Sequence, residues 1–241
     1  MGKNTGGVLK GRIALVTGAS RGIGRAVATR FASEGAHLIL VARTTGALED
    51  VDDEIKSIDG GEGATLVPMD LTDFDAIDHM GAALFERFGR LDVLVGNAGI
   101  LGKLTPMHQI DPKVWQKTMD INLTANWRLL RSMDPLLRAS DAGRAIFVSS
   151  TVGHEPRAFW SAYGVSKAAL EMMVKTYAAE NQKSTISANL INPGATRTTM
   201  RAEAYPGENP KDVKAPEDVT DLFLELASPA CTRNGDLIEA G

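Results

Sequence analysis

The sequence predicts an α/β fold, in which one doubly wound parallel sheet of about seven strands is covered by helices on both faces. Short apolar runs rich in β-branched residues alternate with longer segments of helical periodicity along the whole chain. The short runs are continuously apolar, as is typical of parallel strands buried on both faces. No linker interrupts the pattern, so residues 1–241 are predicted to form a single domain, with residues 1–10 as a flexible N-terminus.

Each element follows from a local pattern in the sequence. Helices are expected between successive strands; the longest runs from Asp111 to Leu137, and another carries Tyr163 and ends near Asn181. Residues from about 197 to 215 are rich in proline, glycine and charge, which indicates a flexible lid over the substrate. The predicted strands cover residues 13–16, 37–42, 66–69, 91–95, 145–148, 186–191 and 236–238.

The composition is that of an ordinary globular protein, with 44% hydrophobic and 23% charged residues. The formal net charge of −4 gives no basic field that would attract nucleic acid or anionic lipid. No apolar stretch is long enough to span a bilayer, and the N-terminus lacks the apolar run of a signal peptide. Cys231 is the only cysteine, which fits a reducing compartment. We therefore expect a cytoplasmic protein with no nucleic-acid or membrane partner, and no metal site is indicated.

A glycine-rich loop separates the first predicted strand from the first helix and reads Thr17-Gly18-Ala19-Ser20-Arg21-Gly22-Ile23-Gly24. Glycines allow the backbone to turn sharply and to approach a pyrophosphate, and a helix N-terminus supplies free N–H groups. The glycine spacing differs from the common G-x-G-x-x-G pattern. The strand-to-helix context nevertheless favours dinucleotide binding in a Rossmann-like fold.

The end of the second strand bears on the choice of dinucleotide. NAD-binding proteins usually place an acidic residue there, about 20 residues past the glycines. This chain places Arg43 there and also carries Arg21 in the glycine loop. Two cations suit the 2′-phosphate of NADP(H), which is therefore the favoured cofactor. The alternative is that Arg43 is a solvated residue and that the protein prefers NAD(H).

Tyr163 and Lys167 are the candidates for acid–base chemistry. They are four residues apart in a predicted helix, so both side chains project from one face. An ammonium beside a phenol favours the phenolate, and a tyrosine that works near pH ~7 needs a pKa about 3 units below its ordinary value. Ser150, at the carboxyl end of the fifth strand, could hold a substrate oxygen. The alternative is a solvated pair without function.

Other residues lie where parallel strands end. Asp70 follows the third strand and could accept from an adenine amino group or cap the next helix. The small residues of Gly96-Asn97-Ala98-Gly99 follow the fourth strand and would allow a cofactor to lie across the sheet. Asn122 is poorly suited to the interior of a helix, which indicates either a special role or a solvent-facing position.

Along almost its full length the chain resembles the short-chain dehydrogenase/reductase family, including bacterial members whose substrates are not assigned. The resemblance implies that Tyr163 is the general acid/base, that Lys167 lowers its pKa and holds the nicotinamide ribose, and that Ser150 steadies the substrate oxygen. It also implies that Asn122 shapes the long helix so that a water connects Lys167 to solvent. The motifs that carry it are Thr17-Gly18-x-x-x-Gly22-x-Gly24, Asn97-Ala98-Gly99, Asn122, Ser150, Tyr163-x-x-x-Lys167 and Pro193-Gly194.

The resemblance further implies hydride transfer between NADP(H) and a carbonyl or secondary alcohol, in a homodimer or homotetramer built partly on the two long helices. Alternatives are an NAD-preferring dehydrogenase, a non-catalytic dinucleotide-binding scaffold or redox sensor, and a sugar-nucleotide epimerase. The expected cofactor contacts are Gly18, Ser20, Arg21, Gly22, Ile23, Gly24, Arg43, Asp70, Leu71, Asn97, Ala98, Gly99, Tyr163, Lys167, Pro193, Gly194 and Thr196.

The substrate pocket is expected to be lined by Leu101, Leu104, His154, Phe159 and Trp160 together with the lid. His154 follows Ser150 closely in the sequence and could hydrogen-bond a polar substrate. The alternative is that His154 is a loop residue without a chemical role. The apolar and aromatic neighbours favour an apolar or acyl-type carbonyl.

Overall fold

The part of the chain that the structure describes forms seven strands, which pair in one parallel sheet in the order β3-β2-β1-β4-β5-β6-β7. The structure is a computed structural model and describes residues 7–58 and 61–240. The strands are β1 (Ile13–Thr17), β2 (His37–Ala42), β3 (Thr65–Pro68), β4 (Val93–Gly96), β5 (Arg144–Val148), β6 (Ser187–Asn192) and β7 (Leu237–Glu239). The predicted α/β fold is confirmed, and each predicted strand is present.

Eight α-helices cover the sheet within the described ranges. Local chemistry fixes several ends: the Asp73 side chain accepts the Ala76 N–H at 3.0 Å where α3 begins, and Gly89 ends α3 at φ 70°. The helices are α1 (Gly22–Ser33), α2 (Thr45–Ser57), α3 (Phe74–Phe88), α4 (Pro112–Met119), α5 (Ala125–Arg138), α6 (Ser161–Glu180), α7 (Thr199–Ala204) and α8 (Thr220–Ala227).

The two faces of the sheet bury two separate hydrophobic cores. Successive residues of β1 alternate between them, since Leu15 faces one core and Ala14 and Val16 face the other. The Leu15 core contains side chains from α3, α5 and α6, and the opposite core contains side chains from α1, α2 and α8. Helices on both faces explain why most strand residues are apolar.

The predicted helix from Asp111 to Leu137 is present, but it is not uniform. α4 passes into α5 through five residues in π-helical conformation, Asp120–Thr124, which contain Asn122. A π-helical turn holds one more residue than an α-helical turn and so changes the direction of the side chains that follow. The suspected mismatch at Asn122 therefore marks a real irregularity of the helix.

Parts of the two segments that were predicted to be flexible make hydrogen bonds in the structure. Leu9 is fully buried, and its N–H donates to the Glu34 carbonyl at 3.0 Å, so the described part of residues 1–10 packs against the fold. Residues 1–6 lie outside the described residues. The lid contains α7, which begins where the Thr198 side chain accepts the Arg201 N–H at 3.1 Å.

Candidate active site

The site lies where the strand order changes direction, between β1 and β4. Thr17 ends β1, and its hydroxyl donates to the Val95 carbonyl at 3.2 Å. The same oxygen accepts the N–H groups of Asn97 and Ala98 at 3.0 and 3.1 Å. These bonds fix the two strand ends side by side, at the crevice where open α/β sheets bind their ligands.

The glycine loop passes this crevice with very little space around it. Gly18 and Gly22 have φ values of 65° and 55°, which favour glycine over any residue with a side chain. A Cβ on Gly24 would lie 2.3 Å from the Gly18 carbonyl oxygen and 2.5 Å from the Asn97 amide nitrogen. No side chain caps the start of α1, so its first N–H groups are available to an anion.

A cavity of about 350 Å³ extends from the glycine loop to the ends of β5 and β6. It is lined by almost every residue that the sequence analysis predicted: Gly18, Ser20, Arg21, Gly22, Ile23, Arg43, Asp70, Leu71, Asn97, Ala98, Gly99, Ser150, Tyr163, Lys167, Pro193, Gly194 and Thr196. Gly24 and Asn122 do not line it. Both support residues that do, through the contacts described above and below.

Tyr163, Lys167 and Ser150 meet at one end of this cavity. Tyr163 and Lys167 are buried on α6, and the Lys167 ammonium lies 5.6 Å from the centre of the Tyr163 ring. Its Nζ donates to the Val148 carbonyl at 2.7 Å, at the end of β5. The two side chains therefore share one helix face, as the four-residue spacing predicts.

Burial is the main influence on the pKa values of this group. Burial raises the pKa of Tyr163 to about 12, and the hydrogen bond with the Ser150 hydroxyl opposes that rise. Burial lowers the pKa of Lys167 to about 8, while the Glu171 carboxylate opposes that fall. The expected effect of Lys167 on the pKa of Tyr163 stays a prediction.

Asn122 ties three segments of the site together. Its Oδ1 accepts the Ile100 N–H at 2.8 Å, and its Nδ2 donates to the Ile100 carbonyl at 2.9 Å and to the Ser166 hydroxyl at 3.0 Å. The side chain is fully buried, so the solvent-facing alternative is wrong. Gly99 passes close by, because a Cβ there would lie 3.3 Å from Oδ1 and 3.7 Å from the Lys167 ammonium.

The other end of the cavity carries Arg21 and Arg43. Both are exposed, and neither forms an ion pair with any residue that the structure describes. Asp70 lies nearby and accepts the backbone N–H and the hydroxyl of Thr72, both at 2.9 Å. The Thr72 N–H is the main cause that lowers the pKa of Asp70, and the charge of Arg43 adds to it. Asp73, rather than Asp70, caps the following helix.

Only some of the residues that were expected to form the substrate pocket line the cavity. Leu101 and Trp160 line it, whereas Leu104, Phe159 and His154 do not. Phe159 is largely exposed, at φ 74°. The His154 ring contacts Glu171 and Glu239 instead, so it is neither a substrate contact of this cavity nor a free loop residue. Further lining residues were not singled out from the sequence: Ile121, Thr198, Met200, Arg201 and Ala204, of which the last four fall in the predicted lid.

Within residues 7–58 and 61–240, no group of three or more His, Cys, Asp or Glu side chains is arranged to hold a metal ion. None of the helices in these ranges combines the length and the apolar character needed to cross a membrane.

The comparison with known families agrees with this geometry. Residues 12–209 match the family described as short chain dehydrogenase. The matched stretch contains the glycine loop, Asn122, Ser150 and the Tyr163–Lys167 pair. The chain therefore belongs to the short-chain dehydrogenase family, and it is an NAD(P)-dependent oxidoreductase.

Individual relatives cover most of the chain. The chain is 41% identical over 220 residues to the uncharacterized oxidoreductase YciK of Escherichia coli (strain K12). The matched stretch makes up 91% of this chain and 87% of YciK. It is 31% identical over 251 residues to an uncharacterized NAD-dependent oxidoreductase of Mycobacterium tuberculosis. That match makes up 92% of this chain and 91% of the relative. A solved short chain dehydrogenase from Escherichia coli CFT073, complexed with NADPH, has a TM-score of 0.92 at 39% identity and covers 96% of this chain and 97% of that chain.

Proposed function

We propose that this protein transfers a hydride between NADP(H) and a carbonyl or secondary-alcohol substrate, with Tyr163 as the general acid/base. The observation that carries the proposal is that one cavity joins the glycine loop to Ser150, Tyr163 and Lys167. A phosphate-binding end and a proton-transfer end in the same cavity are what a dinucleotide-dependent redox reaction requires.

The residues present fit a dinucleotide. The first N–H groups of α1 have no side-chain cap, and Gly18 and Gly22, which line the cavity, carry no side chain that would keep a phosphate from the loop backbone. The family to which the chain belongs uses such a cofactor, and one relative of known structure was solved with NADPH. When bound, the cofactor would supply the nicotinamide carbon that gives or accepts the hydride.

The proton is handled by Tyr163. In carbonyl reduction its hydroxyl gives a proton to the carbonyl oxygen while the carbonyl carbon receives the hydride. In alcohol oxidation the phenolate takes the proton of the substrate hydroxyl. Ser150 hydrogen-bonds Tyr163 and can steady the same substrate oxygen. Lys167 contributes the ammonium that holds the ribose and stabilises negative charge on the phenolate oxygen.

The walls of the reactive end suit a substrate with an apolar body. Trp160 lies edge-on to Tyr163, with 5.8 Å between ring centres, and Leu101, Ile121 and Met200 also line the cavity. A panel of carbonyl compounds assayed with NADPH tests the reaction, and we expect apolar ketones and aldehydes to be reduced. A protein that binds NADPH but oxidises it with no carbonyl of the panel would favour the non-catalytic scaffold instead.

We further propose that NADP(H) is preferred over NAD(H), because Arg21 and Arg43 flank the cavity where NAD-binding proteins carry a carboxylate. The relatives differ in cofactor, since one was solved in complex with NADPH and another is named NAD-dependent. The Arg43→Ala variant should bind NADPH about 10-fold more weakly and leave NADH affinity almost unchanged. Titration calorimetry of the wild type, Arg43→Ala and the control Arg131→Ala measures this; equal losses for both dinucleotides would contradict the preference.

We also propose that the protein is a cytoplasmic homodimer or homotetramer that uses its two long helices as an interface. Trp127 on α5 and Met172 on α6 are exposed to 47% and 67%, although both are large apolar side chains. Light scattering coupled to size-exclusion chromatography measures the mass in solution. A monomer at micromolar concentration would contradict this assembly.

A further inference from the structure

A buried carboxylate lies one helical turn beyond Lys167, and the proposed reaction does not use it. Glu171 follows Lys167 by four residues in α6, so both side chains leave the same face of the helix. Glu171 is only 5% exposed and Lys167 only 3% exposed. Charged side chains are rarely buried to this extent unless they are paired or hydrogen-bonded, so the position of Glu171 calls for a physical reason.

Two donors hold the Glu171 carboxylate in place. The Ser149 hydroxyl donates to its Oε1 at 2.5 Å, and Nδ1 of His154 lies 3.0 Å from the same oxygen. Gly153 packs directly against the carboxylate, because a Cβ there would lie 2.6 Å from Oε1 and 3.2 Å from the Lys167 carbonyl carbon. The carboxylate is thus fixed against the segment that follows β5, next to Ser150.

The titratable groups around this carboxylate come from three elements. Lys167 comes from α6 itself, and His154 comes from the segment after β5. Glu239 comes from β7, and its Oε1 lies 3.4 Å from the other ring nitrogen of His154. The second oxygen of Glu239 accepts from the Asn192 amide at 2.5 Å, and Asn192 lines the cavity. The cluster therefore lies against the catalytic end, and of its members Ser149 and Asn192 line the cavity while Glu171, His154 and Glu239 do not.

We propose that Glu171 is a positioning residue that keeps the buried Lys167 in its ammonium form, with Ser149 and His154 holding the carboxylate at the required place. A buried lysine loses its proton readily, and a fixed negative charge one turn away opposes that loss. This agrees with the opposing effects of burial and Glu171 on the pKa of Lys167. The inference rests on the proposed function only for the role of the ammonium in the reaction. The effect of Glu171 on the protonation of Lys167 does not depend on that function.

A pH titration of Lys167 tests the proposal without substrate or cofactor. Lysine labelled at 13Cε reports its own protonation by NMR, and the Lys167→Met variant assigns the resonance. The wild-type midpoint is expected at about 8. In Glu171→Gln the midpoint should be lower by about 1 pH unit or more, because the amide keeps hydrogen-bonding capacity but not the charge. The control is Glu180→Gln, an exposed position at the end of the same helix, which should leave the midpoint unchanged.

An unchanged midpoint in folded Glu171→Gln would overturn the proposal and leave Glu171 a structural residue. If that variant does not fold, the wild type decides the question through the 13Cδ resonance of Glu171. An ionised Glu171 at neutral pH supports the proposal, and a neutral Glu171 overturns it. Because neither measurement requires turnover, a failure here is distinct from a failure of the proposed function.

A kinetic measurement then shows whether the reaction uses this charge. With a carbonyl substrate in hand, the alkaline limb of kcat/KM for reduction should move to lower pH in Glu171→Gln, by the same amount as the NMR midpoint. A purely structural role would lower the rate at all pH values without moving the limb.

Discussion

The amide of Asn122 donates a hydrogen bond to the hydroxyl of Ser166 at 3.0 Å, which ties the π-helical turn between α4 and α5 to the catalytic helix one residue before Lys167. The same side chain makes two hydrogen bonds with the main chain of Ile100. One buried asparagine therefore sets the relative positions of the chain after β4, the long helix and the Tyr163–Lys167 pair.

Removing the Asn122 side chain should destabilise the protein and disturb the site. In Asn122→Ala the partly buried N–H and C=O of Ile100 lose their partners, which should lower the free energy of unfolding by about 1–3 kcal/mol. Urea denaturation measures the loss, with the exposed Gln182→Ala as a surface control. The interpretation of Asn122 as a structural link is wrong if both variants unfold at the same urea concentration as the wild type.

A methyl group at Gly24 should weaken dinucleotide binding. Gly24→Ala places a Cβ 2.3 Å from the Gly18 carbonyl oxygen, so the glycine loop must move away from the start of α1. Gly46→Ala is the matched control, because it lies in α2 with nothing within 4 Å of the new atom and should stabilise its helix by about 0.5–1 kcal/mol. Calorimetric titration with NADPH should show a loss of affinity for the first variant alone.

As the pH rises, the rate of carbonyl reduction should fall because Lys167 loses its proton, at a lower pH than Tyr163 does. Reduction needs a protonated Tyr163 and a charged Lys167, and the pKa values of about 12 and about 8 mean that Lys167 loses its proton first as the pH rises. The value of kcat/KM should therefore be flat below about pH 8 and fall about 10-fold for each further unit. A profile that stays flat up to about pH 10 would contradict the role of the Lys167 charge.

Much of the fold could be predicted from the sequence because its signals are local. Continuous apolar strands and the glycine loop indicated a two-sided parallel sheet, and helical spacing placed Tyr163 and Lys167 on one face of α6. The π-helical turn could not be predicted, because the partners of Asn122 are Ile100 and Ser166, which are far away in the sequence.

The electrostatics of the site could not be derived from the sequence, for the same physical reason. A pKa depends on burial and on partners that only the tertiary structure brings together. The sequence places His154 near Ser150, but its ring contacts Glu171 and Glu239 from two other elements. The short helix α7 in the lid could likewise not be predicted from a composition that is rich in proline, glycine and charge.

The most direct test of the central claim is the turnover of Tyr163→Phe. With a carbonyl substrate identified in the panel, the rate of NADPH oxidation should fall at least about 100-fold, because the general acid is lost, while NADPH binding persists. Tyr177→Phe is the matched control. It also removes a tyrosine hydroxyl from α6, but that hydroxyl only hydrogen-bonds Asp134, at 2.7 Å. Loss of turnover in Tyr163→Phe alone is the predicted result, and turnover near the wild-type rate in that variant would contradict the mechanism.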